Sequence, residues 1–203
     1  MKRILKKLTD AELLARYADG DEAAFHEIVS RYKNSLYAFL KRFLNQQDLV
    51  EDVFQETFLQ LFTSRESFDP TRPLRPWLFT IAANKAKDAL RKSQRTTTIP
   101  IGTMSKPGEV SFDDALNALT SDSTIPYEEL EKSETASLVA EIIANMPENL
   151  REILILAYFN KFSYKQMAQI LSIPIGTVKS RLHTAVARFA KDFKASVGSK
   201  EFK

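Results

Sequence analysis

The chain has 203 residues, 44% of them hydrophobic and 27% charged, with a formal net charge of +3. That composition supports packed cores for one large or two small domains and excludes a fibrous chain or one disordered throughout. The absence of cysteine removes any disulfide framework or thiolate chemistry, as a reducing cytoplasm allows.

Function classes are narrowed further by what the motifs lack. Gly20, Gly102, Gly108, Gly176 and Gly198 match neither the Walker nor the dinucleotide-binding pattern. His26 and His183 form no zinc motif, because His26-Glu27 lacks a second histidine four residues after the first. No catalytic residue, metal site or cofactor is therefore expected. Residues 1–7 are basic but lead into no apolar signal core, and no run approaches the ~20 apolar residues of a membrane span. The expectation is a cytoplasmic protein without membrane insertion.

In chain order, Thr9 and Glu12 form a capping box that opens a short helix ending at Gly20. Asp21 can cap a long second helix, with Phe25, Ile28, Val29, Tyr32, Leu36, Phe39, Leu40 and Phe43 at helical spacing to about Leu44. Asp48 is read as the cap of a third helix, with Val53, Phe54, Phe58, Leu59, Leu61 and Phe62 as its apolar positions. Glu51, Asp52, Gln55, Glu56 and Gln60 give that helix a polar, mostly acidic surface, which is either a solvated face or a docking surface for a protein helix.

Residues 65–76 hold three prolines and three arginines, Arg72 and Arg75 among them, and read as a stiff loop. A fourth helix is expected from Trp77 to about Arg95, with Lys85, Lys87, Arg91, Lys92 and Arg95 against the single acid Asp88. A basic helix after an arginine-bearing loop is a nucleic-acid footprint. Trp77 shares the register of Ile81 and is assigned to the core rather than to base stacking.

From Thr96 to about Pro126 periodicity fades, and residues 106–134 carry eight acids against two lysines, a local charge of −6. The stretch reads as a flexible acidic linker, either a solubilising spacer or a tether lying in a positive groove of a large partner. Helices resume near Glu128, with Leu138, Val139, Ile142 and Ile143 facing inward, and a very apolar helix spans residues 148–160. The tail from Ser196 is polar and expected to fray.

Residues 162–185 read as a helix-turn-helix. Ser163 and Gln166 form a capping box; Met167, Ile170 and Leu171 mark a buried face; Pro174 ends one helix and suits the opening of the next. Val178, Leu182, Ala185 and Phe189 form the inward stripe of the second helix. Its outward face and flanks carry Thr177, Lys179, Ser180, Arg181, His183 and Thr184, with Arg188, Lys191 and Lys194 beyond and no acid before Asp192. Such donors suit phosphates and major-groove base edges, and Gly176 would let backbone amides approach a phosphate closely. A core helix with a solvated basic face is the plainer alternative. The capped helix before it, the proline turn and the lack of acids favour DNA reading.

Four stretches together resemble the extracytoplasmic-function group of bacterial sigma factors, the promoter-recognition subunits of RNA polymerase. Gly20-Asp21-Glu22-Ala23-Ala24-Phe25 is similar to the family's Gly-Asp-x-x-Ala-Phe signature, and residues 51–58 to its Asp-hydrophobic-x-Gln-Glu-x-Phe segment. Residues 76–91 resemble its Trp-Leu-x-x-Ile-Ala-x-Asn-x-x-x-Asp-x-x-Arg segment, and residues 176–182 its recognition helix. Ala83 and Ile175 depart from the pattern, since many relatives carry an arginine and an acid there.

The resemblance implies an all-α fold of two small helical domains. A four-helix sigma-2-like bundle would span residues 1–95, an acidic linker residues 96–127, and a sigma-4-like helix-turn-helix bundle residues 128–203. It implies that Asp52, Gln55 and Glu56 dock on the clamp coiled coil of the polymerase largest subunit. Arg72, Arg75, Asn84, Lys87, Asp88 and Arg91 would open and read the minus-ten element of promoter DNA. Gly176, Thr177, Lys179, Ser180, Arg181 and Thr184 would read the minus-thirty-five element. Partners implied are core RNA polymerase, including the flap of its second-largest subunit, and an anti-sigma factor. The competing reading is a stand-alone helix-turn-helix repressor or activator, which does not need the acidic third helix and the proline-arginine loop.

Overall fold

The computed structural model describes residues 2–64, 69, 72–96 and 134–198. The expected linker from residue 97 onward, residues 128–133 of the expected C-terminal domain and half of the proline-arginine loop lie outside the described residues. The regular elements among those described are helical, and the chain divides into two compact units, the first of residues 1–96 with residues 169–171 and the second of the remainder.

The first unit is built on one long helix. A short helix, α1 (Lys2–Leu5), is followed by α2 (Asp10–Ala18), α3 (Glu22–Leu44), α4 (Gln47–Thr63) and α5 (Leu74–Thr96). Helices α1, α2, α4 and α5 all pack on α3, and α4 also packs along α5. The Thr9 box forms as expected: the Glu12 amide donates to Thr9 Oγ1 at 3.3 Å, and the Thr9 amide donates to Glu12 Oε2 at 2.6 Å. The bond from the Thr9 amide, and after it donation from the Thr9 hydroxyl to the same carboxylate at 2.8 Å, hold the Glu12 carboxyl below its usual pKa. Gly20, at φ +95°, makes the turn into α3, where the Ala23 amide donates to the Asp21 carboxylate at 3.0 Å. Leu36, Phe39, Leu40 and Phe43 of α3, Leu61 of α4 and Leu78 and Phe79 of α5 are all buried, and the Phe39 and Phe79 rings lie 5.4 Å apart.

Arg31 of α3 clasps the amino-terminal segment. Its guanidinium donates to Asp10 Oδ1 at 3.0 Å and to the carbonyls of Leu5 and Lys6 at 3.1 and 3.3 Å, and pairs with Glu27 at 3.4 Å. The Tyr32 hydroxyl also donates to Asp10, and burial, then that bond and charge, push the phenol well above its ordinary pKa.

Two helix starts differ from expectation. Asp48 is not a cap: Asn45 closes α3 in the left-handed conformation at φ 57°, and Gln46 becomes the extended residue before α4, making no side-chain cap bond. Asp48 is left in the first turn of α4, where its charge complements the helix dipole. Helix α5 starts at Leu74 rather than Trp77, because Pro76 falls in the first turn, where a missing N–H costs nothing.

The second unit contains α6 (Glu134–Ala144), α7 (Glu148–Leu154), α8 (Tyr164–Leu171) and α9 (Ile175–Gly198), with α9 packed on α6 and α7. The apolar helix expected over residues 148–160 is α-helical only to Leu154. It widens into a π turn, Ile155–Phe159, closed by the Asn160 amide on the Ile155 carbonyl at 3.1 Å. Ile153, Leu154, Ile155 and Leu156 are all buried, so this segment is enclosed by apolar neighbours all round rather than along one stripe.

The turn between α8 and α9 closes locally. Ser172 takes the left-handed conformation at φ 53°, and the Ile173 amide donates to the Ala168 carbonyl at 3.1 Å, the bond of a Schellman cap. Serine at this exposed position carries a conformational cost that glycine avoids. Ser172→Gly should therefore raise the unfolding free energy by about 1 kcal/mol and Ser172→Val lower it by at least as much. Urea titration of the full chain by circular dichroism checks this, and shifts of the same sign for both variants would contradict it.

Candidate nucleic-acid interface

The inner stripe of α9 lies where its spacing puts it: Val178, Leu182, Ala185 and Phe189 are buried, as are Met167, Ile170 and Leu171 of α8. The Ser163 box opens α8, with the Gln166 amide 3.3 Å from Ser163 Oγ and the Ser163 amide 2.9 Å from Gln166 Oε1. With its phase set, α9 leaves Gly176, Lys179, Ser180, His183 and Thr184 exposed and Thr177 and Arg181 half-buried. A methyl group at Gly176 would meet nothing within 4 Å, so packing inside the protein does not require glycine there.

The hydroxyls of this face bond back along the helix, Ser180 Oγ to the Thr177 carbonyl at 3.2 Å and Thr184 Oγ1 to the Ser180 carbonyl at 3.0 Å. Their lone pairs still face outward and the protons can be redirected by rotation. Arg188 is drawn aside by Asp192 at 2.6 Å, one turn further on. The cationic surface of α9 is thus concentrated nearer its amino end than the run of basic residues suggests.

On α5, Asn84, Lys87, Asp88 and Arg91 recur at three- and four-residue intervals and share one face; Asn84, Asp88 and Arg91 are exposed and Lys87 half-buried. Asp88 pairs with Arg91 at 2.9 Å, which keeps an acceptor beside the cation rather than a purely basic row. Ala82, Ala83 and Ala86 fill the inner face and are buried. Ala83 is fully buried and has no room for a long side chain without repacking.

Arg72 and Arg75 are not on that face together. Arg72 is exposed and pairs with Asp69 at 3.4 Å. Arg75, expected on the loop, belongs to the first turn of α5, with its guanidinium 5.6 Å from the Phe79 ring centroid. Burial lowers its pKa from the ordinary arginine value. At about 100° per residue it stands half a turn from Asn84.

The outer face of α4 carries Glu51, Asp52, Gln55, Glu56 and Gln60, all exposed. It also carries Leu59 and Phe62, 62% and 47% exposed, two of the apolar positions read along this helix. The signal for Leu59 was present: it continues the row Asp52, Gln55, Glu56 at helical spacing. Phe62 lies edge-on to Phe25 with ring centroids 5.7 Å apart and stays half open. Glu56 accepts a hydrogen bond from Lys85 of α5 at 3.1 Å, turning that lysine toward α4.

Residues 28–96 match the family model for Sigma-70 region 2, and residues 137–189 that for Sigma-70, region 4. The chain is 34% identical to the ECF RNA polymerase sigma-E factor of Haemophilus influenzae, over 89% of this chain and 93% of that protein. It belongs to the ECF sigma factors. It is also 29% identical to the ECF sigma factor SigW of Bacillus subtilis, covering 81% of this chain and 86% of that one.

Among solved structures, CnrH in complex with the cytosolic domain of CnrY aligns with a TM-score of 0.66 at 25% identity, over 92% of this chain and 97% of that chain. The sigma factor RpoE of Bartonella quintana, solved with the anti-sigma factor NepR, shares the fold with a TM-score of 0.63, over 84% of this chain and 96% of that chain. The region 2 match takes in α4 and α5, and the region 4 match takes in α8 and most of α9. As a sigma factor the chain gives core RNA polymerase its promoter choice. No helix among its described residues is long and apolar enough to cross a membrane.

The Glu56–Lys85 pair is largely open on its glutamate side, at 59% exposure, and exposed pairs contribute little to folding. Glu56→Ala should change the unfolding free energy of the sigma factor by less than about 1 kcal/mol in a urea titration. A larger loss would mean that α4 depends on the pair for its position.

Proposed function

We propose that the two units of this sigma factor divide promoter recognition between paired and unpaired DNA. The observation that carries the reading is that the region 2 and region 4 matches fall on the units bearing the α5 and α9 faces respectively. The α9 face, with Gly176, Thr177, Lys179, Ser180, Arg181 and Thr184, reads the minus-thirty-five element as duplex. Each good base contact in the major groove contributes about 1 to 3 kcal/mol of discrimination.

The face of Asn84, Lys87, Asp88 and Arg91, with Arg72 near the start of α5, takes the minus-ten element. Its asparagine and its Asp88–Arg91 pair present both donors and acceptors, which suits the edge of an unstacked base better than a row of cations would. Arg75, seated against Phe79, supports the first turn of α5 and adds positive charge at its margin. Unstacking costs a few kcal/mol per base, and capture of the extruded base offsets it.

Asp52, Gln55 and Glu56 form the docking surface for the clamp coiled coil of the largest polymerase subunit, and exposed Leu59 extends it with apolar area. The C-terminal unit faces the flap of the second-largest subunit, and the acidic charge of the expected linker, residues 96–127, suits a positively charged groove of the polymerase. The role is non-enzymatic. The chain works in the cytoplasm and is held inactive by an anti-sigma factor, a partner supported by the solved complexes of CnrH with CnrY and RpoE with NepR.

Run-off transcription with purified core polymerase and a promoter library tests the assignment. Association with duplex DNA alone and never with core would overturn it. Asp52→Arg should weaken core binding at least tenfold in a pull-down, and unchanged affinity would remove α4 from the docking site. Asn84→Ala should reduce permanganate reactivity of the minus-ten thymines and recover on a pre-melted template. Arg181→Ala should lose upstream-element use by roughly 5- to 100-fold and show no such recovery. Equal rescue of both variants would contradict the division.

A further inference from the structure

In the first turns of α9 the fold makes little use of one apolar side chain. Ile175 opens the helix and is 45% exposed, whereas Val178 and Leu182, the next large apolar residues, are buried. Its neighbours on the outward side are Gly176, beside which a side chain would find open space, and exposed Lys179 and Ser180 one turn on. A single exposed aliphatic residue is ordinary on a protein surface, so exposure alone means nothing. Its position is what carries information.

The amino-terminal residues of a recognition helix are the ones that meet base edges in the major groove. The edges there present hydrogen-bond donors and acceptors to every base pair and one apolar group, the C5-methyl of thymine. The Ile175 side chain has neither donor nor acceptor. Against a cytosine amino group or a guanine carbonyl it would displace water and return no hydrogen bond. Against a thymine methyl it buries apolar surface on both sides. Branching at Cβ restricts its rotamers, so little freedom is lost in making that contact, and the absent side chain of Gly176 leaves the approach clear.

We infer that Ile175 is a specificity-determining residue that covers the methyl group of one thymine in the upstream promoter duplex. The inference rests on the proposed placement of α9 in that duplex. An acid at this position would instead accept from a cytosine amino group. Ile175 thus turns one position of the upstream element from hydrogen-bond readout to methyl readout.

The test uses holoenzyme assembled from the full chain and core polymerase, on promoters selected from a randomised library. The upstream elements recovered should share a thymine at one position on one strand, and selection with Ile175→Ala should relax that position alone. Each upstream thymine is then replaced by uracil, which lacks only the methyl. Wild-type holoenzyme should lose about fourfold in affinity at the shared position, the share of one buried methyl, and nothing elsewhere. Ile175→Ala holoenzyme should bind the thymine and uracil promoters equally. Indifference of the wild type to uracil at every position, or the same uracil sensitivity in the variant, overturns the inference. If scrambling the whole upstream element leaves wild-type binding unchanged, the placement of α9 has failed and the inference falls with it, which separates the two failures.

Discussion

The rotational phase of α9 is the constraint on which the DNA-reading surface depends. Val178, Ala185 and Phe189 are buried, and α9 packs on α6 and α7. Each fully buried large apolar side chain contributes roughly 1.5 to 3 kcal/mol, more than any exposed hydroxyl or lysine does for folding. The inner stripe therefore decides how the helix is turned, and the outer residues are left for recognition. Successive residues advance about 100°, so a slip of one position in the stripe would carry Ser180 and Lys179 round from the outer face they occupy. The Schellman closure at Ser172 and the proline after it set where the helix begins. Together they decide which residues occupy its tip.

In the first unit the same separation of inner and outer faces is repeated on two helices that share one support. Helix α3 carries Leu36, Phe39, Leu40 and Phe43 into the core, and α4 and α5 lean on it and on each other. Small residues make the close approach possible on α5, where Ala82, Ala83 and Ala86 are buried. The outward rows are then chemically distinct: acids and amides with an exposed leucine on α4, and an asparagine, a lysine and an acid–arginine pair on α5. One bundle can present two chemically different outer faces because different helices own them.

Legibility in the sequence followed the range of the interactions involved. Capping boxes at Thr9 and Ser163, the Asp21 cap and the inner stripe of α9 depend on residues within a turn or two, and each forms as its spacing predicts. The all-helical character and the family resemblance were readable for the same reason. What was not readable depended on neighbours. Leu59 is one apolar position among several on α4, and only the packing of that helix leaves it 62% exposed; Arg75 looks like a loop residue until Phe79 comes beneath it. The cap of α4 moved from Asp48 to Gln46 because Asn45 ended α3 in a left-handed turn. The π turn after Leu154 reflects enclosure on all sides, which periodicity along one stripe does not encode. On the candidate interface, the exposed α9 residues were recoverable from spacing alone, whereas the pairing of Arg188 with Asp192 was overlooked although its four-residue interval was in view.

The clasp made by Arg31 has a consequence for how the chain comes together as it is synthesised. The carbonyls of Leu5 and Lys6 and the carboxylate of Asp10 all wait on a side chain some twenty residues downstream. At ordinary elongation rates that interval lasts on the order of seconds, long compared with the microseconds a helix needs to form. Residues 5–10 are thus fastened only after α3 has been made, and for this segment the order of translation differs from the order of assembly.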